Sequence, residues 1–211
     1  MVATGARARE LLSILAKAGL APADRPAAPR LATMRPEAAT SIMTLYRALG
    51  GHAAEPSFAP GSWDLSFSGE LLVELDESFH FNRYRDLTLQ TEWANALPWR
   101  DAYREYSQQW ERYSGTGGKR WSNDSAKRMF GGADPDGVFG EFGAPRWKQR
   151  ALYDAMKDIS AATGGVRLAR VSIYDSIDGI SLDDILYRKA RVPVESVAAL
   201  VASRVANLQS S

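Results

Sequence analysis

The chain has 211 residues, 45% hydrophobic and 24% charged, enough for one sizeable core, and its net charge of +1 supplies no global basic field. A nucleic-acid partner would have to be sought in local patches of charge. Cysteine is absent, which removes disulfides, zinc–thiolate sites and thiol nucleophiles together, and no apolar run approaches the roughly 18 residues of a membrane span or forms a signal-peptide core, so the expectation is a cytoplasmic protein.

Residues Ala6 to Ala18 place Leu11, Leu12, Ile14 and Leu15 at helical spacing, with Gly19 as a stop. A Pro/Ala-rich connector, APADRPAAPR, leads to a second helix over Pro36 to Leu49, with proline in its first turn and Gly50-Gly51 behind it. Residues 1–50 are thus expected as an N-terminal helical segment ahead of a core over 51–211. At Trp63 the period changes. WDLSF and LLVEL are short, apolar and separated by Ser68-Gly69, the pattern of a β-hairpin. Asn82 to Leu97 is compatible with helix, and Trp99 to Tyr113 is more firmly so, with Tyr103, Tyr106, Trp110 and Tyr113 along it. Gly115 to Pro145 is glycine-rich and expected as an extended loop or flap, so that residues 93–145 form a helical and glycine-rich insert. A helix over Arg146 to Ala162, a strand over Val166 to Tyr174, a helix over Leu182 to Ala190 behind a Ser181/Asp184 capping box, and an amphipathic helix over Glu195 to Leu208 complete the chain. This order predicts an α/β or α+β domain with a small sheet.

The stretch LLVELDESFHF carries the chemistry. In a strand, Glu74 and Asp76 share one face while Leu71, Val73 and Leu75 take the other. A three-residue loop Ser68-Gly69-Glu70 pairs Phe67 with Leu71 and sets Asp64 opposite Glu74; a two-residue loop turns Asp64 to the other face. Opposed strand residues have Cβ atoms about 4.5–5.5 Å apart. Two carboxylates that close repel unless a proton or cation lies between them, and a divalent metal, Mg²⁺ or Mn²⁺, is the natural occupant. Such a metal makes phosphodiester hydrolysis feasible near neutral pH, and His80 is then a further ligand, a water-activating base or a donor to the leaving oxygen. The plainer alternative is a surface hairpin flanked by acids, with His80 capping the strand against the core.

The stretch WDLSFSGELLVELDESFHFNRYR resembles the central motif of the PD-(D/E)XK nuclease superfamily, closest to its very-short-patch-repair-like endonuclease branch. By that resemblance Asp64 is the first motif acid, Glu74 the second, Asp76 stands where the superfamily's lysine belongs, and His80 matches the branch's histidine. Glu77 stands in place of that branch's glycine. WKQRALYDAMKDISAATGGVRLARVSIYD looks like the continuation, a basic helix with Lys148 or Arg150 and a strand carrying Arg170. The resemblance covers about residues 64–86 and 146–175. It implies a restriction-endonuclease-like mixed sheet flanked by helices, catalysis by Asp64, Glu74, Asp76 and His80, metal on Asp64 and Glu74, and DNA as partner. An acid from a preceding helix would be Glu37, though a carboxylate at a helix start is also explained by the dipole.

For nucleic-acid contact, Arg83 and Arg85 follow His80 directly, Lys119, Arg120, Lys127 and Arg128 lie in the glycine-rich stretch, and Lys148 and Arg150 are on the later helix. Five of the six tryptophans fall between Trp93 and Trp147; Tyr103, Tyr106 and Trp110 read as the core of a helical insertion. GTGGKR lacks the frame of a P-loop, DPDG is too short for an EF-hand, and no nucleophile elbow occurs. A homodimer is compatible with the sequence. The expected activity is metal-dependent DNA cleavage; an inactive nuclease-fold binding module and a protein-interaction domain using the aromatic-rich insert remain the alternatives.

Overall fold

The computed structural model describes residues 5–206. It is a mixed α+β structure with a three-stranded sheet in the order β1 (Leu65–Phe67), β2 (Leu71–Asp76), β3 (Arg167–Ser172), and a separate two-stranded hairpin of β4 (Ser176–Ile177) and β5 (Ile180–Ser181). β1 runs antiparallel to β2, and β2 runs parallel to β3. A parallel pair needs a long crossover. Here it holds α3 (Arg83–Thr88), α4 (Arg100–Trp110), α5 (Asp124–Phe130) and finally α6 (Pro145–Ala162), which returns the chain across the sheet. Both sheet edges are covered. Ala23 N–H donates to the Ser66 carbonyl (2.9 Å) and Ser68 N–H to that of Ala21 (2.8 Å), while Ala206 N–H donates to Leu168 on the far edge (2.8 Å).

Strand alternation splits the sheet into two chemically different faces. Leu71, Val73 and Leu75, with Ala169 and Val171, pack against Leu11, Ile14 and Leu15 of α1 (Ala6–Lys17) and Val197 and Val201 of α8 (Val194–Ser203). The other face presents Leu72, Glu74 and Asp76 beside Leu168, Arg170 and Ser172, and α6 lies over it. α2 (Pro36–Ala48) packs Ile42, Leu45 and Tyr46 on Leu152, Met156 and Ile159 of α6. The two N-terminal helices are therefore not set apart: α1 belongs to the core of the sheet and α2 to that of α6.

Several expected elements are shorter than their periodicity suggested. Asn82 to Leu97 breaks into α3, capped by the Asn82 side chain, and a 3-10 turn at Glu92–Ala96. The helix from Leu182 stops at Leu186, because Arg188 turns left-handed (φ 59°). The final helix ends at Ser203, and the part expected beyond residue 206 lies outside the described residues. The glycine-rich stretch is not a bare flap. Asn123 caps α5, whose Ala126, Met129 and Phe130 are buried. Trp99, Tyr103 and Trp121 are core side chains of the insert, and Trp147 of α6 is buried with them, each no more than 1% exposed. Among the described residues no helix is long and apolar enough to cross a membrane.

Candidate functional site

The turn at the tip of the hairpin fixes the site. Gly69 (φ 73°) and Glu70 (φ 58°) both take the left-handed conformation, Phe67 pairs with Leu71 and Leu65 with Val73, so the three-residue loop and its register hold. One residue before the start of β1, Asp64 therefore faces Glu74. Its backbone N–H donates to Glu74 Oε1 (3.0 Å), and Leu75 N–H donates to Asp64 Oδ2 (3.0 Å). Lys157 reaches down from α6 to the second Glu74 oxygen: Nζ donates to Oε2 at 2.8 Å and to the Ser62 carbonyl at 3.0 Å, 5.1 Å above the Trp63 ring centroid. Glu74 is 3% exposed. Burial and then the Asp64 charge push its carboxyl up to about 7, against the pull of Lys157 and Arg170. One ammonium does not fully offset two adjacent acids.

Two residues further on, on the same strand face, Asp76 meets the opposite surroundings. Arg170 grips it with Nη1 at 2.9 and 2.7 Å from its two oxygens, and places Nε 2.6 Å from Asp158 Oδ1. Arg85 Nη1 lies 2.6 Å from Asp158 Oδ2 in an ion pair that is off the line of its N–H, so its guanidinium makes no well-formed hydrogen bond there. His80 Nδ1 is 2.9 Å from Asp76 and 2.8 Å from Asp154. Although Asp76 is fully buried, Arg170 and His80 hold its carboxyl well below the usual range, and His80 and Arg170 do the same for Asp154. Burial opposes charge on His80, yet Asp154 and Asp76 outweigh it and push the imidazole up to about 9. The contact of Arg150 Nη1 with His80 Nε2 (2.9 Å) pulls the other way, because an imidazolium has no lone pair there. Nδ1 faces the two acids, and Nε2 is the ring nitrogen that meets Arg150.

Asp64, Glu74 and Lys157 open into a cleft of about 690 Å³ that Arg120, Arg146 and Arg150 also line. Of the residues expected to touch nucleic acid, only Arg120 and Arg150 line this cleft. Arg83 is an exposed ion pair with Glu111 (2.6 Å). Arg85 is 0% exposed and faces Asp158, so the expectation that it clamps a phosphate at the mouth fails: the α3 turn directs it inward. Lys148 is also buried, set between the rings of Tyr84 and Phe130. Lys119 is exposed on a 3-10 turn outside the cleft, and Glu37 stays exposed at the first turn of α2. Lys157, Asp154, Asp158 and Arg146 were not anticipated. Their signal was a set of charged residues at helical spacing beside the apolar positions of the same helix.

Asp76, His80 and Asp154 each bring a ligand atom within 4.8 Å of the others, and this buried group could hold a metal ion. Its mixed nitrogen and oxygen donors suit transition metals, and an ion there would compete with Arg170 for Asp76 and with the proton on His80 Nδ1. Asp64 and Glu74 instead offer only carboxylate oxygens at the cleft wall, the chemistry of a hard cation.

Residues 44–188 match the sequence model of a protein family described as a family of unknown function (DUF7255), a span that contains every residue of both acid groups. No curated protein and no solved structure matches the chain.

Proposed function

The chain belongs to this family of unknown function, DUF7255, and we propose that it is a metal-dependent DNA endonuclease that hydrolyses phosphodiester bonds in the cleft. The observation that carries the proposal is that Asp64, Glu74 and Lys157 line one cleft together with Arg120, Arg146 and Arg150. Acid pair and cationic wall together match a phosphodiester and its metal. The resemblance to the restriction-endonuclease-like fold is supported by the antiparallel hairpin, the crossover helix and the parallel third strand.

Asp64 and Glu74 would hold Mg²⁺ or Mn²⁺, and the donor set fits, since burial and then the repulsion of Asp64 leave Glu74 raised to about 7. The bound ion would polarise a phosphoryl oxygen and lower the pKa of a water. Leu75 N–H holds Asp64 in place, and Lys157 orients Glu74 through Oε2. The lysine missing from the strand is thus replaced by one from α6, whose ammonium faces the cleft where negative charge builds on the phosphate. The arginines draw in and align the polyanion. His80 has both ring nitrogens committed, to Asp76 and Asp154 on one side and Arg150 on the other. It acts as a positioning residue for Arg150, not as the base.

Cleavage of plasmid DNA in Mg²⁺ or Mn²⁺ is expected for the wild type, with none detectable for Glu74→Gln or Asp64→Asn. Unchanged cleavage in either variant sinks the proposal. DNA retained but uncut in both metals would mark the inactive binding module instead, a reading favoured by the Arg170 clamp on Asp76, which leaves that position no part in catalysis.

A further inference from the structure

We propose that Arg120, Arg146 and Arg150, gathered round Phe79, form a phosphate site of their own at the basic end of the cleft, holding a second phosphate group of the substrate without any metal. Their guanidinium carbons lie 5.8, 5.6 and 5.1 Å from the centroid of the one ring. None rests on a carboxylate: Arg120 meets the Ser114 carbonyl (3.5 Å), Arg146 Gln149 Oε1 (3.0 Å) and Arg150 His80 Nε2 (2.9 Å). Contacts without a carboxylate orient a guanidinium but leave its charge uncompensated.

The nearby carboxylates are already committed. Asp154 serves His80 and Arg170, and Glu77 pairs with Arg7. Arg7, Arg83, Arg104 and Arg170 all find an acid, and among the described residues the cleft arginines do not. Burial and the charge of Arg150 both disfavour the cationic form of Arg146. Stacking on an aromatic ring recovers little of that repulsion. An anionic ligand removes it, and guanidinium forks match phosphate oxygens two at a time.

The backbone is arranged to complete the group. Arg146 and Arg150 are one turn apart on α6, and Arg120 crosses to them over Gly115 (φ 79°), where an added Cβ would stand 3.1 Å from the Arg120 side chain. The anion site rests on these contacts alone; its assignment to a nucleic-acid phosphate rests on the nuclease reading.

The test is calorimetric titration of the full chain in EDTA with inorganic pyrophosphate. Binding at one site is expected, weakened at least tenfold by Arg120→Ala, an exposed position where folding is not at stake, and by Arg146→Gln, and untouched by Arg112→Ala, which lies outside the cleft. No binding in EDTA, or an equal loss in Arg112→Ala, overturns the proposal. A second arm compares short oligothymidylates with and without a 5′-phosphate: tighter binding of the phosphorylated strand assigns the site to a strand end, equal binding to a backbone diester, and no binding of either overturns the nucleic-acid assignment. Pyrophosphate binding without DNA cleavage would retire the nuclease reading and leave the anion site standing.

Discussion

Glu74 and Asp76 stand two residues apart on one strand and point to the same face, yet their carboxyls move in opposite directions, Glu74 up to about 7 and Asp76 well below the ordinary range. The strand is common to both; the partners differ. Asp76 is held by Arg170 and His80 within a buried group in which Asp76, Asp154 and Asp158 face Arg85, Arg170 and the imidazole. Glu74 shares its space with a second acid, Asp64, and one lysine. Electrostatic compensation is thus complete in the interior and left short at the cleft, where a ligand can supply it.

Isosteric amides break this comparison most sharply. Asp76→Asn leaves Arg170 buried with part of its counter-charge gone, and a loss of about 3–5 kcal/mol is expected in urea unfolding. Glu74→Gln removes the undercompensated charge and should be no less stable than wild type at pH 8. Equal losses at the two positions would erase the distinction drawn above.

The pH dependence sharpens it. Glu74 has a folded pKa raised from 4.5 to about 7, so its contribution is fully present below 4.5 and lost as pH rises through 7. At 1.36 kcal/mol per unit this is about 3 kcal/mol. His80, raised from 6.5 to about 9, contributes below 6.5 and loses its share as pH rises through 9. Urea unfolding between pH 5 and 9 should show both falls in the wild type and only the later one in Glu74→Gln. Added Mg²⁺ should raise the wild-type melting temperature more at pH 8 than at pH 5, because the ion must compete with the proton on Glu74.

The smallest effect is expected at Arg83. Its pair with Glu111 is open to solvent and away from the cleft, so Arg83→Ala should cost less than about 1 kcal/mol and leave DNA cleavage unchanged. A large loss of cleavage would move the substrate path toward α3.

The Asp64–Glu74 half of the site was legible because it is local: a hairpin's register follows from its turn, and Ser68-Gly69-Glu70 specifies that turn. The helices over Ala6–Lys17, Pro36–Ala48 and Pro145–Ala162 were legible from apolar period and from their proline or glycine ends. What escaped is what depends on packing over long separations. Lys157 is 83 residues from Glu74, and no spacing rule connects them. Arg85 and Arg83 look alike in FNRYR, yet the turn of α3 that separates them sends one to Asp158 in the interior and the other to solvent.

α6 supplies Arg146, Arg150, Asp154, Lys157 and Asp158, and thereby acts as a ruler. At 1.5 Å per residue, Arg150 and Lys157 stand about 10 Å apart along its axis, a span that no loop can stretch or shrink. Inserting one residue between them would turn everything on one side by about 100° and part the anion wall from the acids in a single step. The connection between α4 and α6 sets only where Arg120 stands and leaves the spacing of Arg146, Arg150 and Lys157 to the helix.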